Sequence, residues 1–181
     1  MTSNEIQKII KNHNNKIIEL FRKEIDEYSM LLIPKYHNSE FLCAKFATDF
    51  MIDGYKFIRN KYITDIVTAT DNKTLEFYNK IYFNEGLLNS EEFNYNEENF
   101  YNLFKNLIIS QETITVECNF DDVIDYYVGK VEDISGKIII MKCFDGDGVV
   151  FKDKVKVNLD YVSMVTIRDR YTSIMSKYID F

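Results

Sequence analysis

Five aspartates in the C-terminal half, Asp121, Asp122, Asp125, Asp145 and Asp147, come closest to a constellation that could do chemistry. The run Phe-Asp-Gly-Asp-Gly over 144–148 resembles the start of a calcium loop, because hard cations require several convergent oxygens. The spacing then departs from that use: Val149 stands where a third oxygen ligand is needed, and Lys156 where the bidentate Glu belongs. The glycines instead predict a hairpin turn that uses positive φ. Paired carboxylates can also act as general acid and base, but Asp121, Asp122 and Asp125 sit in a polar stretch that reads as a solvated loop. His13 lies among Asn and Lys, and His37 in a Lys-Tyr-His-Asn-Ser turn, so neither is set against a nucleophile. Cys43, Cys118 and Cys143 show no CxxC spacing and are an odd number, which predicts buried free thiols rather than a disulfide framework or a zinc site. The sequence therefore assigns no catalytic, cofactor or metal residue and predicts no enzyme. The five aspartates remain as a candidate interaction face.

Charge supports that reading. Residues 1–90 hold 12 Lys and Arg against 12 Asp and Glu, whereas residues 91–181 hold 10 against 17, so the second half carries the whole net charge of −7. Such a field repels a phosphate backbone and attracts a basic surface. A protein partner is favoured over nucleic acid. No stretch reaches the ~18 apolar residues of a membrane span, and the first residues have no basic start leading into an apolar run. These features predict a cytoplasmic protein without a membrane partner, and a homo-oligomer is compatible with them.

The elements that must carry these residues follow from periodicity. Ile6, Ile9, Ile10, Ile17, Leu20, Phe21 and Ile25 recur at spacings of three and four, which predicts an amphipathic helix over 4–28, weakest at 12–15. Residues 30–36, 41–48, 54–59 and 62–67 read as short strands, with turns at His-Asn-Ser, Ile-Asp-Gly and Asn-Lys. Pro34 cannot donate to a ladder, so its strand is expected at an edge or broken there. A helix returns over 75–83. Residues 86–98, rich in Asn and Glu, are expected to be an acidic linker. A helix over 99–109 carries Phe100, Leu103, Phe104, Leu107 and Ile108, and four β-rich runs follow between Thr113 and Val165.

The halves read as copies. Asp53-Gly54, Tyr62-Ile63, Ile66 and Tyr78 to Ile81 in the first correspond to Asp147-Gly148, Tyr161-Val162, Val165 and Tyr171 to Ile174 in the second. The run from Tyr127 to Cys143, with Gly129 in a bent strand, resembles the first half of an Sm-like or SH3-type small barrel. Phe57-Ile58-Arg59-Asn60 with Ile63 and Ile66 is similar to the closing motif of Sm proteins. The tandem arrangement is similar to a group of uncharacterised bacterial proteins built from two such barrels. The resemblance implies an α+β, mainly β fold of two tandem small Sm-like barrels, each preceded by an amphipathic helix: 1–85 helix plus first barrel, 86–98 linker, 99–181 helix plus second barrel.

Sm proteins bind RNA through an Asp and an Asn in the first motif and an Arg-Gly in the second. Here Ser135 and Ile139 fall near the first pair, and Arg59 and Arg168 precede Asn60 and Asp169. The fold expectation outlasts the RNA expectation. The sequence points to a non-enzymatic binding module for a protein partner, in the manner of an inhibitor or immunity-type protein. An Sm-like RNA binder and a small-ligand sensor using a crevice between the barrels are the alternatives.

Overall fold

A computed structural model describes residues 1–88, 95, 97–120 and 123–181. The fold is α+β and mainly β, with every strand pairing antiparallel. The chain divides into two compact units, Met1–Asn96 and Glu97–Phe181. Most of the expected linker at 86–98 lies outside the described residues.

The first unit opens with helix α1, Ser3–Asn12. Thr2 and Glu5 form a reciprocal cap: the Thr2 hydroxyl accepts from the Glu5 N–H, and Glu5 Oε2 accepts from the Thr2 N–H at 2.7 Å. Ile6 and Ile10 are its buried face. The helix ends at His13, and Asn15 takes φ 58°, so the predicted helix over 4–28 is less than half realised. Its remainder holds strand β1, Ile18–Phe21, in which Ile18 and Leu20 are buried and alternate with Glu19 and Phe21. The Asn-rich stretch 12–15 breaks the helical period, and beyond it the β-branched Ile17-Ile18 pair suits a pleated surface.

Strands β2 (Met30–His37), β3 (Phe41–Thr48), β4 (Met51–Arg59) and β5 (Asp65–Val67) follow, with a 3₁₀ turn over Asn60–Tyr62 before β5. Their order is β5-β1-β2-β3-β4. Strand β2 is therefore not an edge, yet the expectation for Pro34 holds locally. The β1 ladder stops at the Ile18–Leu32 pair, before Pro34, and the β2–β3 register shifts between Pro34 and Tyr36. The β3–β4 turn is formed by Asp49 and Phe50. It is not at Ile-Asp-Gly: Asp53 and Gly54 lie inside β4, where Gly54 takes φ 75° beside a register shift. Helix α2, Lys73–Asn84, is capped by Asn72, whose side chain accepts from the Thr74 and Leu75 N–H groups. It packs Leu75 and Tyr82 against Ile17, Ile33 and Ala47. Burial of Ile17, Ile33 and Leu75 contributes roughly 1.5–3 kcal/mol each.

The second unit repeats the order of elements. Helix α3, Phe100–Ser110, buries Phe100, Leu103, Phe104 and Leu107 and is capped by Asn99. Strands β6 (Thr113–Phe120), β7 (Val123–Ser135), β8 (Ile138–Cys143), β9 (Val155–Asn158) and β10 (Val162–Ile167) follow, then the short helix α4, Arg170–Met175. The expected single run over 155–165 is two strands, because a 3₁₀ turn at Leu159–Tyr161 divides it. Strand order is β10-β6-β7-β8-β9. In both units the fifth strand pairs with the first, and the fourth and fifth lie at opposite ends of the order, so neither five-strand run closes through its own ladder. Closed barrels are not part of the observed pairing.

Gly129 explains how the 13-residue strand β7 packs. An added Cβ there would lie 2.1 Å from the Lys142 carbonyl oxygen and 2.7 Å from the Cys143 Cα. Only glycine permits so close a backbone approach. No helix of the described residues is long and apolar enough to cross a membrane.

Candidate functional site

The aspartates singled out by sequence belong to the second unit, and the fold separates their roles. Asp121 and Asp122 lie outside the described residues. Asp125 is not in a loop: it sits within β7, opposite Cys118 of β6, and accepts from the Tyr127 hydroxyl at 3.3 Å. Burial raises the Tyr127 phenol above its ordinary range, and the Asp125 carboxylate pushes the same way. Asp145 and Asp147 lie in the β8–β9 connection. Asp145 Oδ1 accepts from the N–H groups of Asp147 at 3.0 Å and Val149 at 2.9 Å, while Gly148 at φ 80° returns its N–H to the Asp145 carbonyl. Asp145 therefore holds the turn. Asp147 presents its carboxylate to solvent.

Topology decides whether these groups share a location. Successive connections of an antiparallel meander alternate between the two ends of the sheet, so the start of β7 and the end of β8 lie at one end. The ladder joins Gly129 to Cys143 as its last β7–β8 pair. Asp125 and the Asp145–Asp147 turn lie beyond that pair, at the same end. Exposed apolar side chains lie there too: Val123, Tyr126 and Val149 are 58%, 59% and 60% exposed, and Phe151 is also exposed. The sequence singled out the carboxylates but not the apolar groups, because Val123 and Val149 fall in stretches read as a loop and a turn and Tyr126 opens a run read as strand.

At the opposite end of the unit, the β7–β8 turn is tied to the 3₁₀ turn before β10. The Leu159 N–H donates to the Lys137 carbonyl at 2.7 Å, and Lys137 Nζ pairs with Asp160 at 2.7 Å. In the first unit the Asn60 N–H donates to the Glu40 carbonyl at 2.9 Å, with Arg59 and Glu40 paired at 3.4 Å. Of the residues compared with the Sm pattern, Arg59 and Ser135 lie at these turns, whereas Arg168 follows β10 and pairs with Glu112. In each unit a carboxylate pairs with the cation at this tie.

A polar cleft of about 340 Å³ lies where α3, β6 and α4 approach one another. Arg168 donates from Nε and Nη2 to Glu112 Oε1 at 3.1 and 2.9 Å, and Lys130 Nζ sits 4.5 Å from the centre of the Phe181 ring. The three thiols are free and buried; burial raises Cys43 well above the usual thiol range and Cys143 to about 11. No group of three or more His, Cys, Asp or Glu among the described residues is placed to hold a metal ion.

Comparison of the chain with protein-family models, with curated proteins and with solved structures gives no match.

Proposed function

We propose that this chain is a non-enzymatic interaction module of two Sm-type (SH3-type) units, and that it engages a basic protein surface through one end of the second unit's sheet. The observation that carries this reading is the gathering of exposed Val123, Tyr126 and Val149 with Asp125 and Asp147 at that end. Single exposed apolar groups are ordinary. Several at one end of a sheet, with Tyr126 on one face of β7 and Val123 and Asp125 on the other, have the composition of an interface: an aromatic anchor, apolar groups and charges around them. The anchor supplies affinity, whereas the carboxylates speed encounter with a cationic partner and make it salt-dependent.

The shared strand order and the matching ties at Asn60–Glu40 and Leu159–Lys137 support a duplicated unit. The paired charges at those ties favour a protein partner over RNA. The test is an association measurement with the protein captured by the wild-type chain. Tyr126→Ala is expected to raise the dissociation rate, and Asp125→Asn with Asp147→Asn to lower the association rate, with the melting temperature held. Binding indifferent to all three and to added salt overturns the proposal.

A further inference from the structure

Asp49 and Phe50 join β3 to β4, and both adopt positive φ, 45° and 58°. A two-residue hairpin needs that backbone but ordinarily draws it from Asn-Gly or Asp-Gly. A bulky residue such as phenylalanine is an outlier there, at a cost of about 1–2 kcal/mol. Such strain persists only where the surroundings over-determine it, and it gathers at ligand sites.

The surroundings of Phe50 are aromatic and acidic. Its ring meets Tyr78 edge-on, with centroids 5.6 Å apart and planes at 78°, and lies tilted against Tyr82 at 5.9 Å. Phe46, Phe50, Tyr78, Tyr82 and Asp49 line a cavity of about 260 Å³. Asp49 has no ion-pair partner among the described residues. Burial raises the Tyr82 phenol, with Asp49 and Tyr78 adding to the rise against a backbone hydrogen bond at Phe50, so the ring stays neutral at physiological pH. Phe46 already holds a cation, the Lys56 ammonium, 4.5 Å from its ring centre.

The lining discriminates among ligands. An anion meets the Asp49 carboxylate and a set of aromatic rings. A hard metal ion finds one carboxylate where it needs six or more oxygens. A neutral apolar group fills space but gains nothing from Asp49. A weakly hydrated organic cation gains from both the rings and the carboxylate. The volume, just under the roughly 300 Å³ lower bound of drug-sized pockets, suits a head group rather than a large molecule.

We propose that this cavity of the first unit binds an alkylammonium group, with Phe50, Tyr78 and Tyr82 as its aromatic wall and Asp49 as its counter-charge. The site is independent of the docking end of the second unit. The head group is the same on a free quaternary amine and on a trimethylated lysine side chain.

The experiment is an NMR titration of the full chain with tetramethylammonium, and in parallel with neopentyl alcohol as a neutral group of the same shape. Saturable shifts are expected over residues 46–50 and 78–82, with the cation bound about tenfold or more tightly than the alcohol. Asp49→Asn, which keeps a residue tolerant of positive φ, is expected to weaken the cation by about threefold to tenfold and to leave the alcohol unchanged. Phe50→Leu is expected to weaken the cation more than the alcohol. Choline and a trimethyl-lysine peptide compared at equal concentration separate the two sources. Absence of saturable binding, equal binding of cation and alcohol, or indifference to Asp49→Asn in a folded variant overturns the proposal.

Discussion

The backbone N–H of Asn60 donates to the carbonyl of Glu40 at 2.9 Å, closing the β2–β3 turn onto the 3₁₀ turn before β5. Leu159 and Lys137 make the same bond at 2.7 Å in the second unit, from the first residue of the 3₁₀ turn to the residue just before the third strand. The side chains over the two ties have reversed polarity, Arg59 with Glu40 in one and Asp160 with Lys137 in the other. What the units share is therefore the main-chain closure, and the charges are interchangeable additions to it.

That ranking gives a stability contrast. Asn60 is buried and its Nδ2 donates to the Asn38 carbonyl at 2.9 Å, so Asn60→Ala is expected to destabilise the first unit by about 1–2 kcal/mol. Lys137 and Asp160 are exposed, and Lys137→Ala is expected to change stability by less than about 0.5 kcal/mol. Denaturant midpoints of the two variants check this. Equal losses would mean that the exposed Lys137–Asp160 pair holds its turn as strongly as the buried Asn60 side chain holds the other.

Gly129→Ala tests the packing of β7. A methyl group 2.1 Å from the Lys142 carbonyl forces two backbones apart, and the expected loss is about 3 kcal/mol or more. Gly148→Val, at a turn with φ 80° and only Ile179 at 4.0 Å, suffers mainly backbone strain and is expected to lose about 1–2 kcal/mol. Thermal melts rank the two. A tolerated Gly129→Ala would contradict the close approach of β7 and β8.

His37 makes stability depend on pH. Burial lowers its pKa below the ordinary value of about 6.5, partly opposed by the neighbouring Asn60 side chain. The unfolded chain then binds the proton more readily than the folded one. The stability contribution is full above about pH 6.5 and is lost as pH falls through that value towards the lower folded pKa. Denaturant midpoints are expected to drop between pH 7.5 and 5.5, and His37→Gln to flatten that part of the profile. An unchanged slope in the variant would remove His37 as the cause.

The thiols give a direct check on burial. Cys43, Cys118 and Cys143 are free and buried, with Cys43 and Cys143 held protonated at neutral pH. A disulfide reagent is expected to react with all three only at the rate of unfolding. Fast reaction of one thiol in the native protein would mark a unit that opens locally.

Sequence and structure part company where two periods fit the same residues. Ile17, Leu20 and Phe21 satisfy helical spacing, yet Ile18 and Leu20 also alternate, and the break at Asn12–Asn15 decides for the strand. Asp53-Gly54 has the composition of a turn, but Gly54 uses its positive φ within β4 while Asp49 and Phe50 take the turn. By contrast, Leu103 and Leu107 lie on a stripe with one reading, and α3 forms where expected. Of the candidate site, the carboxylates were legible because charge is a property of composition. The apolar groups at the same sheet end were not, since exposure depends on where β8 stops. Nor was the cavity beside Phe50, whose walls come from residues about thirty positions apart in sequence.

The docking end is tested most directly by placing a photoreactive side chain at Tyr126 and, as a control of higher exposure, at Tyr28 in the first unit, then irradiating the protein in an extract of its source. A docking end requires a discrete protein adduct at position 126 that fades with added salt and with Asp125→Asn and Asp147→Asn, and no counterpart at position 28. Equal adducts at both positions, or an adduct at 126 unchanged by salt and by both substitutions, would contradict it.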